Sequence, residues 1–196
     1  MTFIADLVPL TVLTAVFLFV LKEGLEWFKR LRGDKRKKQA FRLLLAEETE
    51  RNHWALKRLR HCLEAIEGKK DHPDRSFRLE LTKDGRARFA FDDSEGGAKW
   101  PMPQIYRDHY DRILTDVAIL DAPLFRAMRI AYQHVAELVH IHGQIVYFLT
   151  SEDPLDKDHL EDLPEFAVPK IDEAYVQLNI LYEICTGTKL EVHRLR

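Results

Sequence analysis

Arg129 and His134 are the two residues whose types and spacing come nearest to a catalytic pair. Histidine is the side chain that titrates near neutrality and most often serves as general acid or base, while arginine is a permanent cation. Five positions apart, the two stand about 140° around a helix and do not share a face. His134, His140 and His142 invite a metal reading. His134 and His142 are about two turns apart, His140 points elsewhere, and no HExxH-type pair completes a ligand set, so no metal site is expected. Cys62 and Cys185 are the only cysteines and have neither CxxC nor zinc spacing. Two free thiols in a reducing cytosol are expected. The chain has no Walker A loop, no GxGxxG after a strand, no GxSxG and no kinase signature. The reading therefore leans against an enzyme, and no cofactor is implied.

Three further polar groups occupy unusual places. Asp6, Thr11 and Thr14 interrupt an apolar run over residues 3–21. Taking Asp6 as zero, Thr14 and Thr11 fall at about 80° and 140°, a slanting stripe on one side of a helix. Asp6 at headgroup depth, with threonines bonded to their own backbone, is one account. A seam or pore between several copies is the other, because polar groups inside a bilayer usually face protein or water. Thr49 and Asn52, with Glu48 beside them, interrupt a 4-3 stripe of Leu45, Leu56, Leu59, Leu63 and Ile66. Such residues can set register or oligomer state in a helix seam, or be satisfied inside the domain. Glu47, Glu48 and Glu50 read as one solvated face with one buried exception. Arg78, Arg86 and Arg88 share one face of a predicted hairpin, where like charges repel unless Glu80 or an anionic ligand offsets them.

The elements that position these groups begin with the run 3–21. At 1.5 Å per residue it spans about 28 Å, the thickness of a bilayer's hydrocarbon core. Lys22, Lys29, Arg30, Arg32, Lys35, Arg36, Lys37 and Lys38 follow it. This basic collar puts the N-terminus outside and the rest of the chain in the cytoplasm, with Trp27 and Phe28 at belt depth. A basic n-region and a small-residue cleavage site are both missing, so the run reads as a retained anchor rather than a signal peptide. Net charge is −2, so the charges are polarised along the chain, basic at the collar and acidic near 151–162.

The expected architecture is mainly α: a transmembrane helix at 1–21, a basic juxtamembrane segment at 22–38, and a cytosolic helical bundle at 39–196 with one inserted β-hairpin at about 76–92. The first bundle helix is expected over 35–67. In the hairpin, a three-residue loop with Gly85 in the left-handed position pairs Leu81 with Ala87, Leu79 with Phe89 and Phe77 with Phe91. Residues 92–103 read as a Gly/Pro-rich connector. Helices are expected at about 104–120, from Pro123 to about 149, and over 168–186 with Gly187 as cap. Residues 151–169, with their prolines, read as an acidic loop.

Arg129-Ile-Ala-Tyr-Gln-His134 is similar to the Arg-x4-6-His pattern of HEPN ribonucleases. The whole arrangement of span, basic collar and compact domain resembles small bacterial membrane effectors of antiviral defence. These include single-span HEPN-like pore proteins beside CRISPR nucleases, and channel effectors governed by nucleotide signals. The resemblance implies a homo-oligomeric inner-membrane effector, an ion channel or pore controlled by its cytosolic domain. Its expected partners are the lipid bilayer, copies of itself, a nucleotide or oligonucleotide signal and a cytosolic protein. Two other readings stand beside it. One is a membrane-anchored interaction module without a pore. The other is a membrane-tethered HEPN-type ribonuclease using Arg129 and His134.

Overall fold

A computed structural model describes residues 10–190 of the chain. The protein is mainly helical, 75% by residue, with one small three-stranded antiparallel sheet. It divides into two compact units, Met1–Phe41 and Arg42–Arg196. Helix α1 (Leu10–Glu67) contributes to both.

Within the first unit, the described residues form only the leading part of α1. Every side chain from 12 to 21 is exposed, Phe17 and Leu18 at 65% and 60%. Among the described residues no helix is long and apolar enough to cross a membrane. The expected span starts at residue 3, and residues 3–9 lie outside the described residues. One continuous helix, α1, runs where a span and a separate helix at 35–67 are expected. The residues between lack any Pro, and Gly24 and Gly33 stand singly, so nothing breaks the i to i−4 ladder there.

In the second unit, α1 turns inward with one face. Leu45, Leu56, Leu59, Cys62, Leu63 and Ile66 are all buried. A 3-10 turn (Gly68–Lys70) leads to β1 (Ser76–Leu81), β2 (Ala87–Asp93) and β3 (Gly96–Pro101), in spatial order β1-β2-β3. Leu81 faces Ala87, Leu79 faces Phe89 and Phe77 faces Phe91, the expected register. Gly85 has φ +77°, and its N–H donates to Thr82 O at 2.9 Å.

The expected connector at 92–103 contains the strand Gly96–Pro101, so the inserted hairpin at 76–92 is the first two strands of a sheet. Phe89 pairs with Trp100 and Phe91 with Ala98. The Phe89 and Trp100 rings stack with centroids 5.5 Å apart. Trp100 Nε1 donates to Cys62 Sγ at 3.1 Å, fixing this face of the sheet on α1. Gly97 is required because a Cβ there would meet Asp92 Oδ1 at 2.3 Å and Phe91 O at 2.7 Å.

Helix α2 (Asp108–Leu120) leads into α3 (Ala122–Thr150). Asp121 caps α3, accepting from Leu124 N at 3.3 Å, and Pro123 sits in the first turn. The expected acidic loop is also overturned. Helix α4 (Pro154–Thr186) starts at its cap Asp153 and carries Pro164 and Pro169 inside. A proline inside a helix costs about 3 kcal/mol. An unbroken stripe of Leu160, Leu163, Ala167, Ile171, Ala174, Leu178 and Leu181 offsets it, all buried. Gly187, with φ +77°, ends α4 as a left-handed cap. Helices α3 and α4 make the most extensive helix pairing.

Candidate functional site

The inward polar residues of α1 organise the second unit. Helix α2 has no side-chain cap of its own. Glu48, 1% exposed, takes that place from another helix. Its Oε2 accepts from His109 N at 2.6 Å and its Oε1 from Tyr110 N at 3.2 Å. The Tyr132 hydroxyl also donates to Oε1. A carboxyl at a helix N-terminus satisfies orphan N–H groups and meets the positive end of the dipole. Burial, followed by the charge and hydrogen bond of Glu48, drives the Tyr132 phenol far above its ordinary pKa. Tyr110 stacks on Tyr132 with centroids 4.1 Å apart.

Four residues along α1, Asn52 engages both backbone polar groups of one residue, Tyr106. Its Nδ2 donates to Tyr106 O and its Oδ1 accepts from Tyr106 N, each at 2.8 Å. Thr49 is buried between them, and its Oγ1 has no hydrogen-bond partner among the described residues. Glu48, Thr49 and Asn52 thus lie inside the domain, where they position α2 and the segment before it. They are not available as a seam between copies. Glu50 differs from its neighbours by accepting from the Tyr182 hydroxyl at 2.6 Å.

The sheet arginines are not an open cationic face. Arg78 Nε donates to Glu80 Oε1 at 2.8 Å, and its Nη1 donates to Asp92. Lys99 Nζ reaches the same Glu80 oxygen at 2.8 Å. β2 brings Asp92 onto the face that Arg78 shares with Glu80, so two carboxylates flank the Arg78 guanidinium. Arg86 pairs with Asp84 at 3.1 Å, both well exposed. Arg88 lies opposite Glu80 and Pro101 and is exposed.

Arg129 and His134 are not brought together. Arg129 is exposed, while His134 faces α4, its Nδ1 3.9 Å from Glu173 Oε2. No hydrogen bond or ion pair links the two among the described residues. Of the intramembrane candidates, Thr14 is on α1 with an exposed side chain. Asp6 and the Thr11 side chain lie outside the described residues. No group of three or more His, Cys, Asp or Glu residues converges on a metal position among the described residues. Burial pushes the Cys62 thiol up to about 11 and the Cys185 thiol up to about 12, so neither offers a thiolate at neutral pH.

Sequence reasoning missed one structural hub entirely. Arg75 Nε donates to Asp93 Oδ2 at 2.8 Å, its Nη1 to Ala65 O at 3.1 Å, and its guanidinium lies over the Phe91 ring at 4.5 Å. One side chain thus ties the C-terminal turn of α1 to the sheet. Its only signal in the sequence was an arginine opening a strand. No protein-family model, curated protein or solved structure matches the chain.

Proposed function

We propose that the chain is a single-pass membrane protein whose helical domain is an interaction module on the cytoplasmic side of a bacterial inner membrane. The run 3–21 is the anchor, with its N-terminus outside, and the collar 22–38 lies at the headgroups. One observation carries this reading. Ten consecutive residues, 12–21, expose their side chains on every side of α1, and eight of the ten are large and apolar or aromatic. In water such a surface is an aggregation liability; in lipid it is satisfied. The lysines and arginines that follow supply the topology signal and about 1 kcal/mol each of attraction to anionic headgroups.

Alkaline carbonate extraction of membranes from cells expressing the full chain tests the anchor. The protein is expected in the pellet, and a Leu13→Lys/Leu18→Lys double variant in the supernatant. Wild-type protein in the supernatant, or the double variant in the pellet, would sink the reading.

A second reading, a homo-oligomeric pore acting in antiphage defence, rests on the same exposed stretch. Sister helices could cover it, with Asp6, Thr11 and Thr14 turned inward. The buried Glu48, Thr49 and Asn52 lend it nothing. The detergent-corrected mass by light scattering separates the two readings. Four or more subunits make a pore geometrically possible, whereas a monomer or dimer leaves the anchored module.

A further inference from the structure

A cleft of about 750 Å³ opens beside the sheet, walled by α1 on one side and by the ends of β2 and β3 on the other. That volume falls in the range of small-molecule sites, roughly 300–1,000 Å³. Its lining is selective in charge: it includes Arg51, Arg58 and Arg86 but no aspartate or glutamate. Arg51 and Arg58 are two turns apart on one helix and so point from the same face. Arg86 reaches in from the turn just before β2. Arginine suits phosphate because its planar fork donates two parallel hydrogen bonds.

The remaining walls mix apolar and uncharged polar side chains, Gln104 among the latter. Trp54 and Tyr106 line the cleft with His142. Trp54 is half-buried, and Lys57 Nζ lies 5.1 Å from its ring centroid. The Arg51 guanidinium lies 5.4 Å from the centroid of Tyr106. Burial lowers the pKa of His142, so at neutral pH it offers a neutral donor and acceptor rather than charge. Aromatic rings in a cationic cleft provide stacking for a base beside a grip for its phosphate.

The three arginines are free to change partners. Arg51 pairs with Glu47 at 2.5 Å, both about half-exposed, and Arg86 with Asp84 at 3.1 Å, both largely exposed. Exposed pairs of this kind contribute little, about 0–1 kcal/mol. Arg58 has no ion pair or hydrogen bond to any side chain among the described residues. A phosphate dianion therefore meets one uncommitted guanidinium and two weakly committed ones.

We propose that this cleft binds a nucleoside phosphate, its phosphate held by Arg51, Arg58 and Arg86 and its base lying on the Trp54–Tyr106 wall. The assignment is independent of the anchor. It also differs from the sheet-face trio suggested by sequence: Arg78 is spent in ion pairs, and Arg86 joins arginines from α1 instead.

Calorimetric titration of the detergent-solubilised full chain with AMP, ATP, adenosine and inorganic phosphate tests it. AMP or ATP is expected to bind saturably, one per chain, with adenosine and phosphate each at least about tenfold weaker. Arg58→Ala should weaken nucleotide binding by about tenfold or more. Arg58 is exposed, so its variant should fold, and an unchanged thermal melt by circular dichroism verifies this. Trp54→Phe should retain part of the affinity and Trp54→Ala little of it. The proposal falls if no nucleotide binds, or if Arg58→Ala binds as tightly as the parent. It falls equally if phosphate matches AMP, which marks a simple anion site. Binding confined to long oligoribonucleotides would also overturn it, in favour of a strand groove.

Discussion

Two stretches of one helix make the sharpest contrast in this protein. Along α1, residues 12–31 hold their apolar side chains outward on all sides, whereas residues 45–66 hold them on one face only. Leu18 is 60% exposed and Leu63 is 0% exposed. The outward positions of the second stretch are polar, among them Glu47, Arg51 and Lys57. Both stretches are rich in leucine, but residues 12–21 carry no charge at all while the leucines of 45–66 alternate with charged residues. The angular distribution follows: a one-sided stripe finds a protein partner, and an all-round apolar surface asks for an apolar solvent.

Substitution experiments can break or sharpen this contrast. The largest effect is expected at Glu48 in the docked stretch. Glu48→Ala leaves two N–H groups and the Tyr132 hydroxyl buried without their acceptor, and should cost about 3 kcal/mol or more in denaturant unfolding of the full chain. Leu18→Ala in the other stretch should leave the same unfolding transition where it is. Equal losses from both would abolish the distinction.

Next comes Asp93. The Arg75 hydrogen bond holds its carboxyl below the ordinary carboxylate range. Because the folded pKa is the lower one, this stabilisation is complete above the unfolded value of about 4 and drains away as pH falls below it. Asp93→Asn should destabilise the neutral protein and flatten the acid limb of melting temperature against pH. The membrane retention proposed for residues 12–21 should not follow that titration. The smallest effect belongs to Arg78. It is exposed, so Arg78→Ala should shift the melting temperature by no more than about 4 °C.

Much of the domain was legible in the sequence where local chemistry and tertiary packing agree. The alternating Phe77, Leu79 and Leu81 against Ala87, Phe89 and Phe91 leave one register that keeps the apolar set on one face, and Gly85 permits the turn it needs. The 4-3 stripe of α1 likewise identified residues that are buried. Legibility ended where packing overrides local preference. Gly96, Gly97 and Pro101 hide a strand whose existence depends on Phe89 and Phe91 beside it. Pro164 and Pro169 hide a helix held by its buried stripe against α3. Candidate-site reading failed for a related reason. Same-face spacing placed Arg78, Arg86 and Arg88 together with Glu80, but the second carboxylate that neutralises Arg78, Asp92, arrives through strand pairing. The cleft joins Arg86 to Arg51 and Arg58 across a long sequence separation, which no local pattern reveals. The Glu48 cap was visible only as an awkward polar residue on an apolar stripe.

The double hydrogen bond of Asn52 to Tyr106 has a consequence for how the protein ages. Asparagine deamidates when the next backbone nitrogen attacks the side-chain carbonyl and closes a succinimide ring. The nitrogen after Asn52 belongs to His53 in mid-α1, and the side-chain amide is pinned at both ends. Hydrolysis there would replace a donor with a carboxylate facing the Tyr106 carbonyl, undoing the contact that holds the entry to α2. The geometry that makes Asn52 hard to replace thus also shields it, and its deamidation should serve as a chemical clock for unfolding rather than for time spent folded.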